Sequence, residues 1–233
     1  MTSTEQIDHG RVHGLITHAD QPRGGIIILP TIFGIDRFCQ ARAALLAEAG
    51  LTSLIWNPYH GQPAPTEHDD AQSRAAKLSD DAVGDMSECV GYMLSSLRLP
   101  SVAALGFCLG GRYALLLAAR DPRLVSCVSF YPSIREPNKP NENQDAIALA
   151  AEIPCPVHVV YGTADQVILK PTFLKLREAL ERRKAATVAQ VHPDAVHSFL
   201  RPDLQSIPAN ATATRLSWPP AVRFMETSLQ RAG

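Results

Sequence analysis

A cysteine between glycines is the residue whose surroundings most clearly indicate chemistry. Cys108 lies in the stretch GFCLGG, residues 106–111, with glycines two positions before and two positions after it. This spacing matches G-x-Nu-x-G, a strained strand-to-helix turn that exposes a nucleophile. The glycines are needed because the strand and the helix cross too closely for a Cβ atom. The pattern predicts that Cys108 attacks as a thiolate, which the N-terminus of the following helix favours.

Glycine-rich turns can also bind phosphate or simply pack, and these roles fit residues 106–111 less well. The stretch does not match G-x-G-x-x-G, and no Gly-Lys-Ser/Thr follows it. The remaining cysteines are scattered and contain no CxxC pair, so they predict no metal site, redox pair or disulfide framework. We expect them to be small buried hydrophobic residues: Cys39, Cys89, Cys127 and Cys155.

The base for such a nucleophile is expected to be a histidine that follows it in the chain. Among the candidates, His158 lies inside a predicted strand and His192 ends one, whereas His197 lies on the loop beyond that strand. Loops at the carboxyl ends of parallel strands carry functional residues. His197 is therefore the predicted base, and His192 is its rival.

The acid of the triad should lie on the turn after the preceding strand. Asp165 stands there, in the stretch YGTADQV, residues 161–167. An aspartate at a turn can also serve only as a turn former or a helix cap. Asp194 is a rival, but it is too close to His197 in sequence for the usual place. Asp165 is predicted to orient His197 and to stabilise its imidazolium form.

A cysteine–histidine pair predicts acyl transfer through a thioester intermediate. The oxyanion that forms needs backbone N–H donors. The residue after the nucleophile, Leu109, supplies one, and the loop after an early strand supplies the other. That loop reads PTIFG, residues 30–34, so Ile32 is the candidate.

The elements that must position these residues alternate between strand and helix along the whole chain. This alternation predicts a single α/β domain over residues 1–233, with a mainly parallel sheet covered on both faces. Asp36 is a suitable N-cap and Gly50 a suitable C-terminal stop for the first helix. Predicted strands are 25–29, 51–56, 102–105, 124–131, 157–161 and 187–191. Predicted helices are 36–50, 71–97 with a break near Ser79 or Gly84, 112–120, 170–184 and 212–230, where Pro219 and Pro220 mark a start or a kink.

Composition excludes several classes of protein. The chain has 233 residues, 45% of them hydrophobic, and a net charge of −1. This balance gives no basis for binding nucleic acid or an anionic membrane. The N-terminus is polar, and no apolar run is long enough to cross a bilayer. We expect a cytoplasmic protein without metal or cofactor, acting on a small molecule as a monomer, with self-association left open.

With these residues in place, the chain resembles the dienelactone hydrolase (carboxymethylenebutenolidase) family over nearly its whole length. The resemblance rests on residues 32–34, the cysteine turn at 106–111, the Asp165 turn, and the stretch HSFLR at 197–201. It implies an α/β-hydrolase that opens an enol-lactone carrying a carboxylate, during degradation of aromatic compounds. It also implies that arginines hold this carboxylate, with Arg201 matching one position and Arg74 the other. Arginine suits this task because its planar fork binds carboxylates in two places.

One position departs from the family pattern. Members of the family carry a glutamate directly before the Ile-Phe-Gly stretch, and the residue here is Thr31. The glutamate helps to activate the cysteine, and threonine cannot accept a proton in that way. His197 alone is then expected to hold Cys108 as a thiolate. Such a change fits a different lactone, ester or dienelactone isomer as substrate.

Two alternatives to a lactonase remain. A thiol esterase acting on small esters would use the same triad, although Arg74 and Arg201 favour an anionic substrate. A non-catalytic binding protein on a hydrolase fold would not need Cys108, Asp165 and His197 at three separate turns. The loop at 59–70 is long and rich in proline and glycine, which fits either a lid or a plain surface loop.

Overall fold

The computed structural model describes residues 3–230 and contains one eight-stranded sheet. The strand order is β1-β2-β4-β3-β5-β6-β7-β8, in which β1, β2 and β4 pair antiparallel and all other neighbours pair parallel. The strands are β1 Ser3–His9, β2 Val12–His18, β3 Gly25–Leu29, β4 Thr52–Trp56, β5 Val102–Phe107, β6 Leu124–Phe130, β7 Val157–Gly162 and β8 Thr187–His192.

Helices cover both faces of the sheet. The first and last helices pack on one face, and the others that contribute buried residues pack on the opposite face. None of the helices within residues 3–230 is long and apolar enough to cross a membrane. The α-helices are α1 Arg37–Glu48, α2 His68–Ala75, α3 Val83–Ser95, α4 Leu109–Arg120, α5 Ala146–Ala150, α6 Lys170–Glu181 and α7 Pro208–Gln230, with short 3-10 turns at Asp80–Ala82 and Pro202–Leu204.

The predicted α/β architecture is confirmed, with local differences that have physical reasons. Strands β1 and β2 were both missed. Strand β1, with the sequence STEQIDH, is polar and nearly all exposed, so it carries no hydrophobic pattern, and in β2, VHGLITH, Gly14 interrupts the apolar alternation. Helix α7 was predicted to begin at 212 but begins at Pro208, a residue favoured at the first helical position. Pro219 and Pro220 lie inside this helix rather than at its start. Buried residues such as Ala221 and Met225 pack the helix onto the sheet and compensate for the lost backbone bonds.

The turn between β5 and α4 is tighter than the sequence predicted. The expected turn covered residues 106–111, but β5 extends to Phe107 and α4 begins at Leu109, so Cys108 alone separates them. Most of α4 is buried, which allows its N-terminus to lie deep against the centre of the sheet. This depth positions Cys108 beside the loops that follow β3 and β6.

Candidate active site

Cys108 has a strained backbone. Its φ is 56° and its ψ is −114°, a region that costs a non-glycine residue about 1–3 kcal/mol. The flanking glycines permit this turn, because a Cβ at Gly106 would lie 2.0 Å from the carbonyl oxygen of Gly110. A Cβ at Gly110 would lie 1.9 Å from the carbonyl oxygen of Leu29. The thiol is therefore held at the crossing of β5, α4 and the end of β3.

Backbone hydrogen bonds fix the neighbouring loops to this turn. The Gly110 N–H donates to the carbonyl of Pro30 at 2.9 Å, which anchors the loop after β3. The Ser133 N–H donates to the carbonyl of Cys108 at 2.8 Å, which anchors the loop after β6. The Cys108 N–H donates to the carbonyl of Phe130 at 3.1 Å. Both loops are thus fastened to the nucleophile turn.

His197 and Asp165 form a direct pair. His197 Nδ1 lies 2.8 Å from Asp165 Oδ2, and the aspartate side chain is fully buried. The other oxygen, Asp165 Oδ1, accepts the N–H groups of Val167 at 2.7 Å and Ile168 at 3.1 Å. These bonds fix the carboxylate so that Oδ2 stays aimed at the imidazole.

The loop that carries His197 is held from both sides. The buried Asn210 accepts the N–H of Val196 at 3.1 Å and donates to the carbonyl of Leu204 at 3.1 Å. The ring of Tyr131 packs edge-on against the imidazole, with centroids 5.3 Å apart. The imidazole is therefore oriented by packing as well as by Asp165.

The rival residues lie in other surroundings. The ring of His192 packs against that of Phe199, with centroids 5.7 Å apart. His158 Nε2 makes a 3.3 Å hydrogen bond to Gln190 Oε1. Asp194 is exposed, and its N–H donates to Thr163 Oγ1 at 2.9 Å. None of these three borders the cavity that Cys108 and His197 share.

The cysteine and the histidine stabilise each other's charge. Burial acts to raise the pKa of the Cys108 thiol, but the His197 charge and the Leu109 N–H overcome it, so the pKa lies below its ordinary value. Burial acts to lower the pKa of His197, but the Cys108 sulfur and the Asp165 carboxylate raise it well above its usual range. The arrangement favours a thiolate–imidazolium pair.

Two backbone donors are available near the sulfur. The Leu109 N–H interacts with the Cys108 thiolate and belongs to the first turn of α4. The Ile32 residue borders the cavity, and within residues 3–230 its N–H makes no backbone hydrogen bond. The hydroxyl of Tyr59 donates to the Ile32 carbonyl and fixes this peptide unit. Ile32 and Leu109 remain the predicted oxyanion donors.

Cys108 and His197 border a cavity of about 230 Å³. This volume is below the ~300–1,000 Å³ of most small-molecule sites, so the cavity suits a compact substrate. The residues around it mix apolar, polar and cationic groups: Thr31, Ile32, Phe33, His68, Gln72, Ala75, Cys108, Ser133, Arg135, Lys139, Val167, His197, Ser198 and Arg201.

The two arginines of the sequence prediction lie in different places. Arg201 borders the cavity, stacks 5.0 Å over the ring of Phe33, and pairs with Asp203 at 2.9 Å. Arg74 does not border it, because its guanidinium binds both carboxylate oxygens of Asp70, at 2.9 and 2.8 Å. The structure therefore brings Arg201, and not Arg74, to the triad.

Two cavity cations were missed in the sequence. Arg135 and Lys139 lie on the loop after β6, a segment in which no site residue was predicted. Their position in the sequence indicated this location, because loops after parallel strands face the binding site. A count of cations on those loops would have found them.

The position of the family glutamate is occupied by a hydroxyl. Thr31 is buried and borders the cavity, and its Oγ1 accepts the N–H of Phe33 at 3.2 Å. Threonine thus shapes the loop that presents Ile32 but brings no carboxylate to the sulfur. Within residues 3–230, no group of three or more His, Cys, Asp or Glu could hold a metal ion.

A mostly parallel sheet, a strained nucleophile turn between β5 and α4, and an acid and a histidine after later strands together define an α/β-hydrolase. The dienelactone hydrolase family model matches residues 12–229. The chain therefore belongs to the dienelactone hydrolase family.

Individual relatives agree with this assignment. A carboxymethylenebutenolidase of Rhodococcus opacus is 29% identical over 223 residues, covering 91% of this chain and 85% of the relative. A probable 2-oxo-3-(5-oxofuran-2-ylidene)propanoate lactonase of Bradyrhizobium is 27% identical over 183 residues, covering 75% and 72%. The structure of a dienelactone hydrolase-like promiscuous phosphotriesterase from metagenomic libraries superposes with a TM-score of 0.78 at 22% identity, covering 97% and 98%. That structural likeness concerns the fold.

Proposed function

We propose that this protein hydrolyses a small lactone that carries a carboxylate, by way of an acyl-thioester on Cys108. The observation that carries the proposal is the strained Cys108 beside the Asp165–His197 pair, at the wall of a compact cavity with cationic side chains. The lactone substrates named for two relatives support the choice of reaction. The wider context we propose is degradation of aromatic compounds.

In the acylation step, the Cys108 thiolate attacks the lactone carbonyl and forms a C–S bond. The carbonyl oxygen becomes an oxyanion, which the N–H groups of Ile32 and Leu109 stabilise. The oxyanion then collapses, the ring C–O bond breaks, and the leaving enolate oxygen takes the proton from the His197 imidazolium. The acyl group of the opened ring stays attached to Cys108 as a thioester.

In the deacylation step, neutral His197 removes a proton from a water molecule. The hydroxide attacks the thioester carbonyl, the C–S bond breaks, and Cys108 leaves as a thiolate. The thiolate–imidazolium pair is thereby restored without any further proton source. Asp165 stabilises His197 during both steps, since its carboxylate lies 2.8 Å from Nδ1.

The proposal is tested by following the absorbance of cis- and trans-dienelactone with wild-type protein and the Cys108→Ala variant. We expect turnover by the wild type and a loss of at least about 10³-fold in the variant, because the nucleophile is gone. Cys155→Ala is the matched control, since Cys155 is buried and borders no part of the cavity.

Equal turnover by wild type and Cys108→Ala would exclude Cys108 as the nucleophile. If neither dienelactone isomer is turned over while a neutral ester is hydrolysed in a Cys108-dependent way, the thioester mechanism stands and the lactone assignment is wrong. The two parts of the proposal thus fail separately.

A further inference from the structure

Two cavity cations form no salt bridge within the described residues. Arg135 and Lys139 border the same cavity as Cys108, and within residues 3–230 neither lies within 4.0 Å of a carboxylate oxygen. Both are half-buried. Two neighbouring cations that are partly desolvated and unpaired are an unfavourable arrangement unless an anion joins them.

Short contacts link Arg135 to the nucleophile turn, and the charges of Arg135 and Cys108 act on the ammonium of Lys139. Arg135 Nη1 donates to Ser133 Oγ at 2.9 Å, and the Ser133 N–H donates to the Cys108 carbonyl at 2.8 Å. Burial and the charge of Arg135 lower the pKa of Lys139, while the charges of Glu142 and Cys108 act in the opposite direction with a smaller effect. Both cations are therefore tied to the reacting centre.

A buried ion cluster, made of Asp80, Arg112 and Glu142, holds the segment that follows Lys139. Asp80 binds Arg112 through both carboxylate oxygens, and all three side chains are at most 3% exposed. Glu142 accepts the N–H of Lys139 at 3.2 Å, and Asp80 accepts the N–H of Gln144 at 2.7 Å. Because Arg112 belongs to α4, the Lys139 loop and the Cys108 turn share one rigid support.

The other nearby guanidinium groups are already engaged. Arg74 is paired with Asp70 outside the cavity, and Arg201 shares its charge with Asp203. No aspartate or glutamate borders the cavity within the described part of the chain. The free positive charge of the cavity is thus concentrated on the loop after β6.

We propose that Arg135 and Lys139 form the anion subsite that holds the substrate carboxylate, in place of Arg74. The substrate class is then a small lactone with its carboxylate directed toward the loop after β6. This inference rests on the proposed function for the location of the reacting carbonyl at Cys108. A guanidinium and an ammonium on one carboxylate give charge-assisted hydrogen bonds that orient the ring before attack.

The test compares two reagents that alkylate Cys108 in the same way but differ in charge, iodoacetate and iodoacetamide. We expect the ratio of their rates to fall about tenfold in Lys139→Met and in Arg135→Gln, because each variant removes one charge-assisted contact. Lys77→Met is the matched control, since Lys77 is an exposed lysine that does not border the cavity, and its ratio should equal that of the wild type. Lys139→Arg should retain most of the wild-type ratio.

A binding measurement covers the case of an unreactive thiol. Calorimetric titration with cis,cis-muconate, a six-carbon dicarboxylate without an ester bond, requires no reaction at Cys108. We expect binding to wild type and to Lys77→Met, and about tenfold weaker binding to Lys139→Met and to Arg135→Gln. Unchanged rate ratios and unchanged muconate affinity in both cavity variants would overturn the subsite. Slow iodoacetamide reaction in the wild type with normal muconate binding would instead contradict the proposed thiolate.

Discussion

At the scale of single residues, the charge state of Cys108 is the central physical feature. Burial opposes a thiolate, but the imidazolium of His197 and the Leu109 N–H favour it more strongly, so the pKa of this thiol is lowered. The other cysteines lack such partners, and burial raises their pKa, to about 12 for Cys89 and about 11 for Cys155. Reactivity is therefore expected at Cys108 alone among the cysteines of the chain.

The first prediction concerns this selectivity. Iodoacetamide at pH 6 should alkylate Cys108 and leave the other cysteines intact, as read by peptide mass spectrometry. The sign follows from the lowered pKa, since the thiolate persists at a pH where an ordinary thiol of pKa ~8.5 is protonated. Modification that begins only above about pH 8 would contradict the thiolate–imidazolium pair.

The second prediction concerns Asp165. Asp165→Asn should lower kcat by about 10³–10⁴-fold, because the charge that stabilises the His197 imidazolium is lost. The fold should persist, since an asparagine Oδ1 can still accept the N–H groups of Val167 and Ile168. Asp194→Asn is the matched control, and near-normal turnover is expected there because Asp194 is exposed and His197 pairs with Asp165 instead. Comparable losses in both variants would mean that Asp165 is not the specific acid partner.

At the scale of elements, the crossing of β5, α4 and β3 decides where the nucleophile lies. The Gly110 N–H bonds to the Pro30 carbonyl at 2.9 Å, so the helix approaches the β3 loop with no room for a side chain. The strain at Cys108 persists because three elements hold the turn together. The same close approach brings the Leu109 and Ile32 peptide units toward one point.

The third prediction tests this approach. Gly110→Ala should destabilise the protein by about 3 kcal/mol, because the new methyl group would meet the Leu29 carbonyl at 1.9 Å and the backbone cannot yield. Urea unfolding measures the change. Gly91→Ala in α3 is the control, since its methyl group would meet only the flexible end of Arg123, at 3.1 Å. A stable Gly110→Ala protein with full activity would mean that the crossing of α4 and the loop after β3 leaves room for a methyl group.

The buried ion cluster of Asp80, Arg112 and Glu142 is the second feature that holds elements together. Asp80→Ala leaves the buried Arg112 with the Gln144 carbonyl at 2.9 Å and with Glu142, at 3.8 Å, as its remaining carboxylate partner, so we expect a loss of about 3–5 kcal/mol. Asp70→Ala breaks the more exposed pair with Arg74 and should cost only about 0–1 kcal/mol. Parallel denaturant titrations compare the two variants, and similar losses would show that burial does not govern these pairs.

At the scale of the whole molecule, the sheet unites residues from distant parts of the chain. The loops after β3, β6, β7 and β8 meet at the carboxyl edge of the sheet around the turn after β5. A larger groove of about 630 Å³ lies elsewhere, between the end of the sheet and α7, and it contains His158 but no member of the triad. The predicted site residues therefore gather at the strand ends and not in this larger groove.

Stability of the whole domain should depend on buried neutral histidines. Burial lowers the pKa of His192, so in the unfolded chain it binds a proton near pH ~6.5 while in the folded protein it does not. Protonation of His192 in the unfolded chain therefore lowers the free energy of unfolding. This loss is absent above about pH 6.5 and grows as the pH falls below it. Between about pH 7.5 and 5.5, the free energy of unfolding should fall less in His192→Phe than in wild type. An equal fall in urea titrations would exclude His192 as a contributor.

The sequence by itself determined most of the elements and the glycine-flanked turn at Cys108, because those features depend on local chemistry. Asp36 as N-cap, Gly50 after α1 and the glycines around Cys108 each act through neighbouring backbone atoms. The alternation of buried strands with helices likewise determined the α/β class. The polar strand β1 was not predicted, because it pairs through its backbone and buries no apolar face.

Only the tertiary structure decided which side chains share the cavity. His197 and His192 are close in sequence, and position favoured His197, but the 2.8 Å contact with Asp165 depends on how the loops after β7 and β8 meet. Which cations are free for a ligand depends on ion pairing across the fold. Asp70 binds Arg74 outside the cavity, whereas the ammonium of Lys139 forms no salt bridge within the described residues. Distances between loops arise from strand order and register, which no local pattern encodes.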